Sequence, residues 1–87
     1  DDLPAVGVFP TRTRGKTTMD YFGNSPQKVT VQLVADPGGQ VIEEHVYEEL
    51  KEGVFTYDLS YRPAQRYYLK VYADGKLVFN KRVRVGE

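Results

Sequence analysis

The sequence predicts an all-β domain, an antiparallel sandwich of about seven short strands. Three observations carry that expectation. Apolar residues alternate in short runs, and turn signals separate the runs about every 8–12 residues. Aromatic residues make up 13% of the chain, seven Tyr and four Phe with no Trp, a choice that suits half-buried strands. The stretch from Arg66 to Val85 reads as two strands joined at Asp74-Gly75.

Composition narrows the function classes. Eighty-seven residues make one domain, 1–87, with a thin core. Twelve basic and twelve acidic side chains cancel, so the net field gives no drive toward nucleic acid or an anionic membrane. No nucleic-acid partner is expected. The absence of cysteine excludes a disulfide scaffold and thiol chemistry. No run approaches the roughly 20 apolar residues of a transmembrane helix. Asp1-Asp2-Leu3-Pro4 lacks a start Met and any leader-like run, as expected of a mature form or an excised domain.

Residues 1–5 read as a loose lead-in. Val6-Gly-Val-Phe9 is a short edge strand stopped by Pro10. Thr11 to Lys16 form a polar, basic loop. Thr17 to Phe22 alternate with Met19 and Tyr21 inward, and Gly23-Asn-Ser-Pro26 is a turn cluster. Lys28 to Ala35 is the cleanest period-two segment, with Val29, Val31 and Leu33 on one face. Asp36-Pro-Gly-Gly39 follows as a hairpin loop: Pro37 presets its φ, Gly38 accepts positive φ, and Asp36 is placed to bond the turn backbone.

Pairing across that loop sets Ile42 opposite Leu33, Val46 opposite Val29, and Glu44 against the apolar Val31. The mismatched glutamate keeps a second reading open. Ile42, Val46 and Leu50 recur four apart with Gly53 as a possible cap, which is also the pattern of a helix over 42–52. The tight loop after a strong strand favours direct return as a strand. Glu48 to Glu52 then form an acidic connection. Val54 to Leu59 alternate with Phe55, Tyr57 and Leu59 inward, and Ser60 to Gln65 turn a corner. Tyr67 (or Tyr61) is placed to pin that corner by its hydroxyl.

For the closing hairpin, a three-residue loop Ala73-Asp74-Gly75 places Val71 opposite Leu77, Leu69 opposite Phe79, and Tyr67 opposite Lys81. A two-residue loop sets Leu69 against Asn80, turning core residues toward water. The three-residue register is expected.

No residue set points to catalysis or to a cofactor. His45 has no second His or Cys with which to share a zinc ion, and reads as an exposed strand histidine. Ser60 beside Asp58 lies in a corner where a hydroxyl serves turn hydrogen bonds, outside any nucleophile motif. Glu43, Glu44, Glu48, Glu49 and Glu52 lack the spacing of a calcium loop and read as a solvated acidic face. Two basic clusters, Arg12/Arg14/Lys16 and Lys81/Arg82/Arg84, lie near Tyr68 and Tyr72 in a manner known from single-strand binders. The net charge opposes that reading, and a charged edge that discourages aggregation accounts for the second cluster.

Taken in order, these segments resemble the C-terminal sorting domain of proteins exported by the type IX secretion system, from about Val8 to Val85. Val8-Phe9-Pro10 stands at the family's aromatic-Pro-Asn-Pro opening, with Thr11-Arg12 in place of Asn-Pro. Asp36-Pro-Gly-Gly39-Gln-Val41 resembles its Asp-x-x-Gly-x-Val turn, and Gly53 with Asp58-Leu59-Ser60 its Gly…Asp-Leu-Ser segment. Tyr67-Tyr-Leu-Lys-Val71 resembles its aromatic strand, with Gln65 where a Gly is usual. Asp74-Gly75-Lys76 followed by Lys81, Val83 and Val85 resembles its ending, with Gly86-Glu87 in place of a basic tail.

The resemblance implies an immunoglobulin-like sandwich of seven strands that acts as a non-catalytic address. An outer-membrane translocon would read it, leaving the cargo secreted, at the cell surface or in the periplasm of a Gram-negative bacterium. It implies a protein partner, and it assigns recognition to Asp74, Gly75, Lys76, Lys81, Val83 and Val85. Pro10, Asp36, Gly39, Gly53, Asp58 and Tyr67 are assigned to turns and framework. A stand-alone secreted or periplasmic immunoglobulin-like binding module is the alternative.

Overall fold

The computed structural model describes residues 3–86. They form six strands and no helix: β1 (Ala5–Phe9), β2 (Arg12–Thr13), β3 (Lys16–Asp36), β4 (Val41–Asp58), β5 (Arg66–Ala73) and β6 (Lys76–Val85). The sheet order is β1-β3-β5-β6-β2, with β4 also paired to β3. All pairs are antiparallel except β2 with β6. The lead-in expected over 1–5 lies partly outside the described residues, and Ala5 already opens β1.

Six strands arise where seven were expected, by two mergers and one addition. The segments around 17–22 and 28–35 both belong to β3, 21 residues long, and those around 42–47 and 54–59 both belong to the 18 residues of β4. The residues 42–52 are strand, and the helical reading falls. Neither Gly23–Pro26 nor Glu48–Glu52 ends a strand, because the two segments face each other across the ladder. Pairing moves from Phe22↔Glu52 to Gln27↔Leu50, leaving residues 23–26 against Lys51. Such a bulge bends a ladder without terminating it, and Pro26 sits where no ladder bond is required. The bend gives the halves of β3 different neighbours. Residues 18–22 lie between β1 and 52–56, whereas 29–34 lie between 41–47 and β5.

The core is the inward face of these strands: Met19, Tyr21, Val29, Val31, Leu33, Tyr57, Leu59, Tyr67, Leu69, Val71, Val83 and Val85. Each buried Val or Leu contributes roughly 1.5–3 kcal/mol of transfer free energy. The inward positions expected for β3 and β5, with Tyr57 and Leu59 at the end of β4, therefore lie in the core, while Phe55 is half-buried and Val34 is buried beside Leu33.

Both hairpin registers differ from expectation, for one reason. Across 36–40 the turn is closed by Gly39 N–H to the Ala35 carbonyl at 3.0 Å and Ala35 N–H to the Gln40 carbonyl at 2.8 Å. Gly38 and Gly39 both take positive φ, 114° and 71°. A bulge at Ile42 then shifts the partner strand by one, so Glu43, His45 and Tyr47 lie opposite Leu33, Val31 and Val29. Glu44, expected against Val31, pairs with Gln32 on the outer face, and Val46 is exposed there. Asp36 is drawn to Arg66, its carboxylate 3.8 Å from Nε.

In the closing hairpin the loop has two residues, with Ala73↔Lys76 and positive φ at both Asp74 (50°) and Gly75 (82°), as a type I′ turn requires. An extra residue, Val78, follows between Tyr72↔Leu77 and Val71↔Phe79. The bulge restores the inward parity that a bare two-residue loop would lose. It leaves Leu77, expected in the core, 46% exposed, and Phe79 half-buried. Val83 comes opposite Tyr67 and Arg84 opposite Arg66.

Candidate functional site

Two constellations stand out from the framework, one at each edge of the sheet. The first follows from the Ile42 bulge, which turns Glu43, His45 and Tyr47 toward the corner between β4 and β5. Glu43 accepts from His45 Nε2 at 3.0 Å, from the Tyr61 hydroxyl at 2.6 Å and from Arg62 Nε at 2.9 Å. Arg62 also donates to the Ile42 carbonyl at 3.1 Å, and its guanidinium lies 4.8 Å from the Tyr61 ring centre. The Tyr47 and Tyr57 hydroxyls bond at 2.9 Å, and the His45 ring packs on Tyr57 at 4.8 Å.

The electrostatics follow from these contacts. Burial pushes the Glu43 carboxyl up, but hydrogen bonds from Tyr61, His45 and Arg62 and the guanidinium charge outweigh it and hold the group below its ordinary value. Burial, then the Tyr47 hydrogen bond, pushes the Tyr57 phenol far up. Both carboxylate oxygens of Glu43 are engaged, Oε1 by His45 and Oε2 by Tyr61 and Arg62, so the cluster acts as a clasp between the corner and β4. Ser60 serves the turn through its N–H, which donates to Asp58 Oδ1 at 3.0 Å, and hydrogen bonds from its side chain and backbone hold the Asp58 carboxyl low. Among the described residues, no three His, Cys, Asp or Glu side chains gather as a metal site. Among the described residues no helix is long and apolar enough to cross a membrane.

The second constellation is the C-terminal hairpin with β2. Asp74 accepts from Lys28 N–H at 3.0 Å and Gln27 Nε2 at 3.1 Å, while its own N–H donates to the Lys28 carbonyl at 2.8 Å. The turn is thereby clasped onto β3. Gly75, Lys76 and Lys81 are exposed, and Val83 and Val85 are turned into the core. Pro10 ends β1 and its carbonyl accepts from the buried Thr17 hydroxyl at 2.8 Å. Gly53 lies within β4 opposite Tyr21, where a Cβ would stand 2.8 Å from the Phe55 ring.

Thr11, Arg12, Arg66, Lys81, Arg82 and Arg84 line a pocket of about 490 Å³ at this end. The basic loop after Pro10 supplies β2, whose pairing with Arg84-Val85 brings Arg12 to the C-terminal cluster. Arg14 and Lys16 stay outside the pocket. Elsewhere, Phe9, Phe22 and Val54 are exposed together on the outer face of β1, β3 and β4.

No family model matches the chain, and no curated protein matches it. A solved structure does: an immunoglobulin-like protein from Pseudomonas aeruginosa, at 19% identity and a TM-score of 0.62, over 99% of this chain and 94% of that one. The fold is immunoglobulin-like.

Proposed function

We propose that the chain is a non-catalytic protein-recognition module, an immunoglobulin-like sandwich whose two layers share β3 and β4 through their bends. Its contact edge is β6, and its role is the sorting or surface anchoring expected from the type IX resemblance. One observation carries the reading. The outer edge of β6 is covered by β2 only at Arg84 and Val85, so the backbone from Lys76 to Arg82 has no neighbouring strand on that side among the described residues. A partner strand can add there through main-chain hydrogen bonds. Lys76 and Lys81 would choose the partner, and the Asp74 clasp would hold the edge in place. Val83 and Val85, buried, would act by fixing the strand.

Fusion of residues 1–87 to a reporter, in a bacterium with the translocon and in its translocon-null strain, tests the reading. Export only in the former, reduced by K76E/K81E, is expected; equal retention in both strains overturns it. The stand-alone module is the second reading, favoured by the exposed Phe9, Phe22 and Val54 on one face. An envelope partner captured without translocon components, and lost on F22S/V54S, selects it.

A further inference from the structure

We propose that the pocket at the β2–β6–β5 end is a binding site for a multiply charged phosphate or sulfate oxyanion. The strand register itself builds the site. Arg12 is paired with Arg84 across β2–β6, and Arg84 with Arg66 across β6–β5. Three guanidinium-bearing positions thus stand side by side at strand spacing, about 5 Å apart and spanning about 10 Å. Arg82 and Lys81 flank the row, so five cationic residues and Thr11 line one pocket. The one carboxylate joined to this set among the described residues is Asp36, beyond Arg66 and 3.8 Å from it.

Like charges placed directly opposite each other destabilise a sheet. A lone positive strand edge discourages aggregation, but that purpose needs no row crossing three strands. Six of the twelve acidic residues stand on β4, which pairs with β3 and contributes nothing to the pocket lining. Charge is therefore partly segregated. The pocket is mainly arginine, whose planar forks hold tetrahedral oxyanions by paired hydrogen bonds. A ligand carrying several negative charges within about 10 Å would engage all three arginines, the strand spacing setting that span.

The site is independent of the export reading, since oxyanion affinity is measured on the isolated protein and export on a reporter. Inorganic tripolyphosphate is the probe, titrated calorimetrically into residues 1–87 at 150 mM NaCl, with a sulfated tetrasaccharide as the second arm. One-to-one saturable binding by at least one probe is expected, with amide shifts confined to residues 11–13, 66 and 81–85. Binding by tripolyphosphate alone identifies a phosphate source, and by the saccharide alone a sulfate ester. R84Q keeps the Arg84 N–H bond to the Thr11 carbonyl and is expected to weaken binding at least tenfold, with K51Q on the opposite edge unchanged. Should R84Q not fold, R12Q on the two-residue β2 gives the same reading. Affinity unchanged in R84Q or R12Q, equal loss in K51Q, or shifts scattered over the surface would overturn the proposal.

Discussion

The Tyr67 hydroxyl donates to the carbonyl of Pro63, four residues upstream, at 2.6 Å. The geometry matches the tyrosine corner known from immunoglobulin domains, here at the entry to β5. Tyr67 is fully buried, so its ring packs in the core while its hydroxyl fixes the path of 60–65. Removing the oxygen leaves the ring in place and a partly buried carbonyl without its donor. Tyr67→Phe is expected to lower stability by about 1–2 kcal/mol. A urea midpoint shifted down at constant slope would show it; an unchanged midpoint would refute the corner as a source of stability.

Tyr21 is the counterpart case. Its ring is buried to the same degree, but its hydroxyl is buried with no hydrogen-bond partner, and burial, then the Asp74 charge, pushes its phenol up. An unsatisfied buried hydroxyl costs about 1–3 kcal/mol. Tyr21→Phe is therefore expected to be neutral or to stabilise by about 1 kcal/mol, opposite in sign to Tyr67→Phe. Measured together, the two substitutions separate the worth of a hydroxyl from the worth of a ring. A loss in Tyr21→Phe as large as in Tyr67→Phe would contradict it.

Glu43 predicts an acid-side signature. Its carboxyl is held below its ordinary value of 4.5 in the folded chain, so the unfolded chain binds the proton more readily. The contribution of the clasp is then complete above about pH 5 and is lost progressively as pH falls through the folded value. Glu43→Gln, which cannot titrate, should flatten the fall in stability between pH 5 and 3 while lowering stability at pH 7. Thermal unfolding across that range measures both, and an unchanged slope in the variant would remove Glu43 from the account.

What could be read beforehand divides along the same physical line. Side-chain parity within a strand is local, so Val29, Val31, Leu33, Leu69 and Val71 were legible as core, and Tyr67 as a corner. Register between strands depends on bulges that no single segment encodes. The Glu43 clasp stayed hidden because it exists only after Ile42 bulges out; the signal was the expected clash of Glu44 with Val31, which a shift of one residue removes. The arginine row was hidden more deeply. It needs a parallel pairing of two residues, Arg12 and Thr13, with a strand about 70 positions away, and a contact that short leaves no periodicity to find.

Val78 gives the sharpest test of that argument. Being the extra residue between the Tyr72↔Leu77 and Val71↔Phe79 pairs, it shifts everything after it by one position relative to β5. Deleting it while keeping the Asp74-Gly75 turn joins Leu77 directly to Phe79, so the Tyr72↔Leu77, Val71↔Phe79 and Tyr67↔Val83 pairs persist as a regular ladder and Val83 and Val85 stay in the core. The deletion should therefore keep a cooperative unfolding transition, at a cost of about 1–2 kcal/mol for the lost half-buried side chain and the local bend. Val78→Ala, which keeps the bulge and trims a half-buried side chain, should cost about 1 kcal/mol or less. If the deleted chain lost its cooperative transition, the Val78 bulge would do more than reset the register, and the edge β6 offers to a partner would have to be drawn differently.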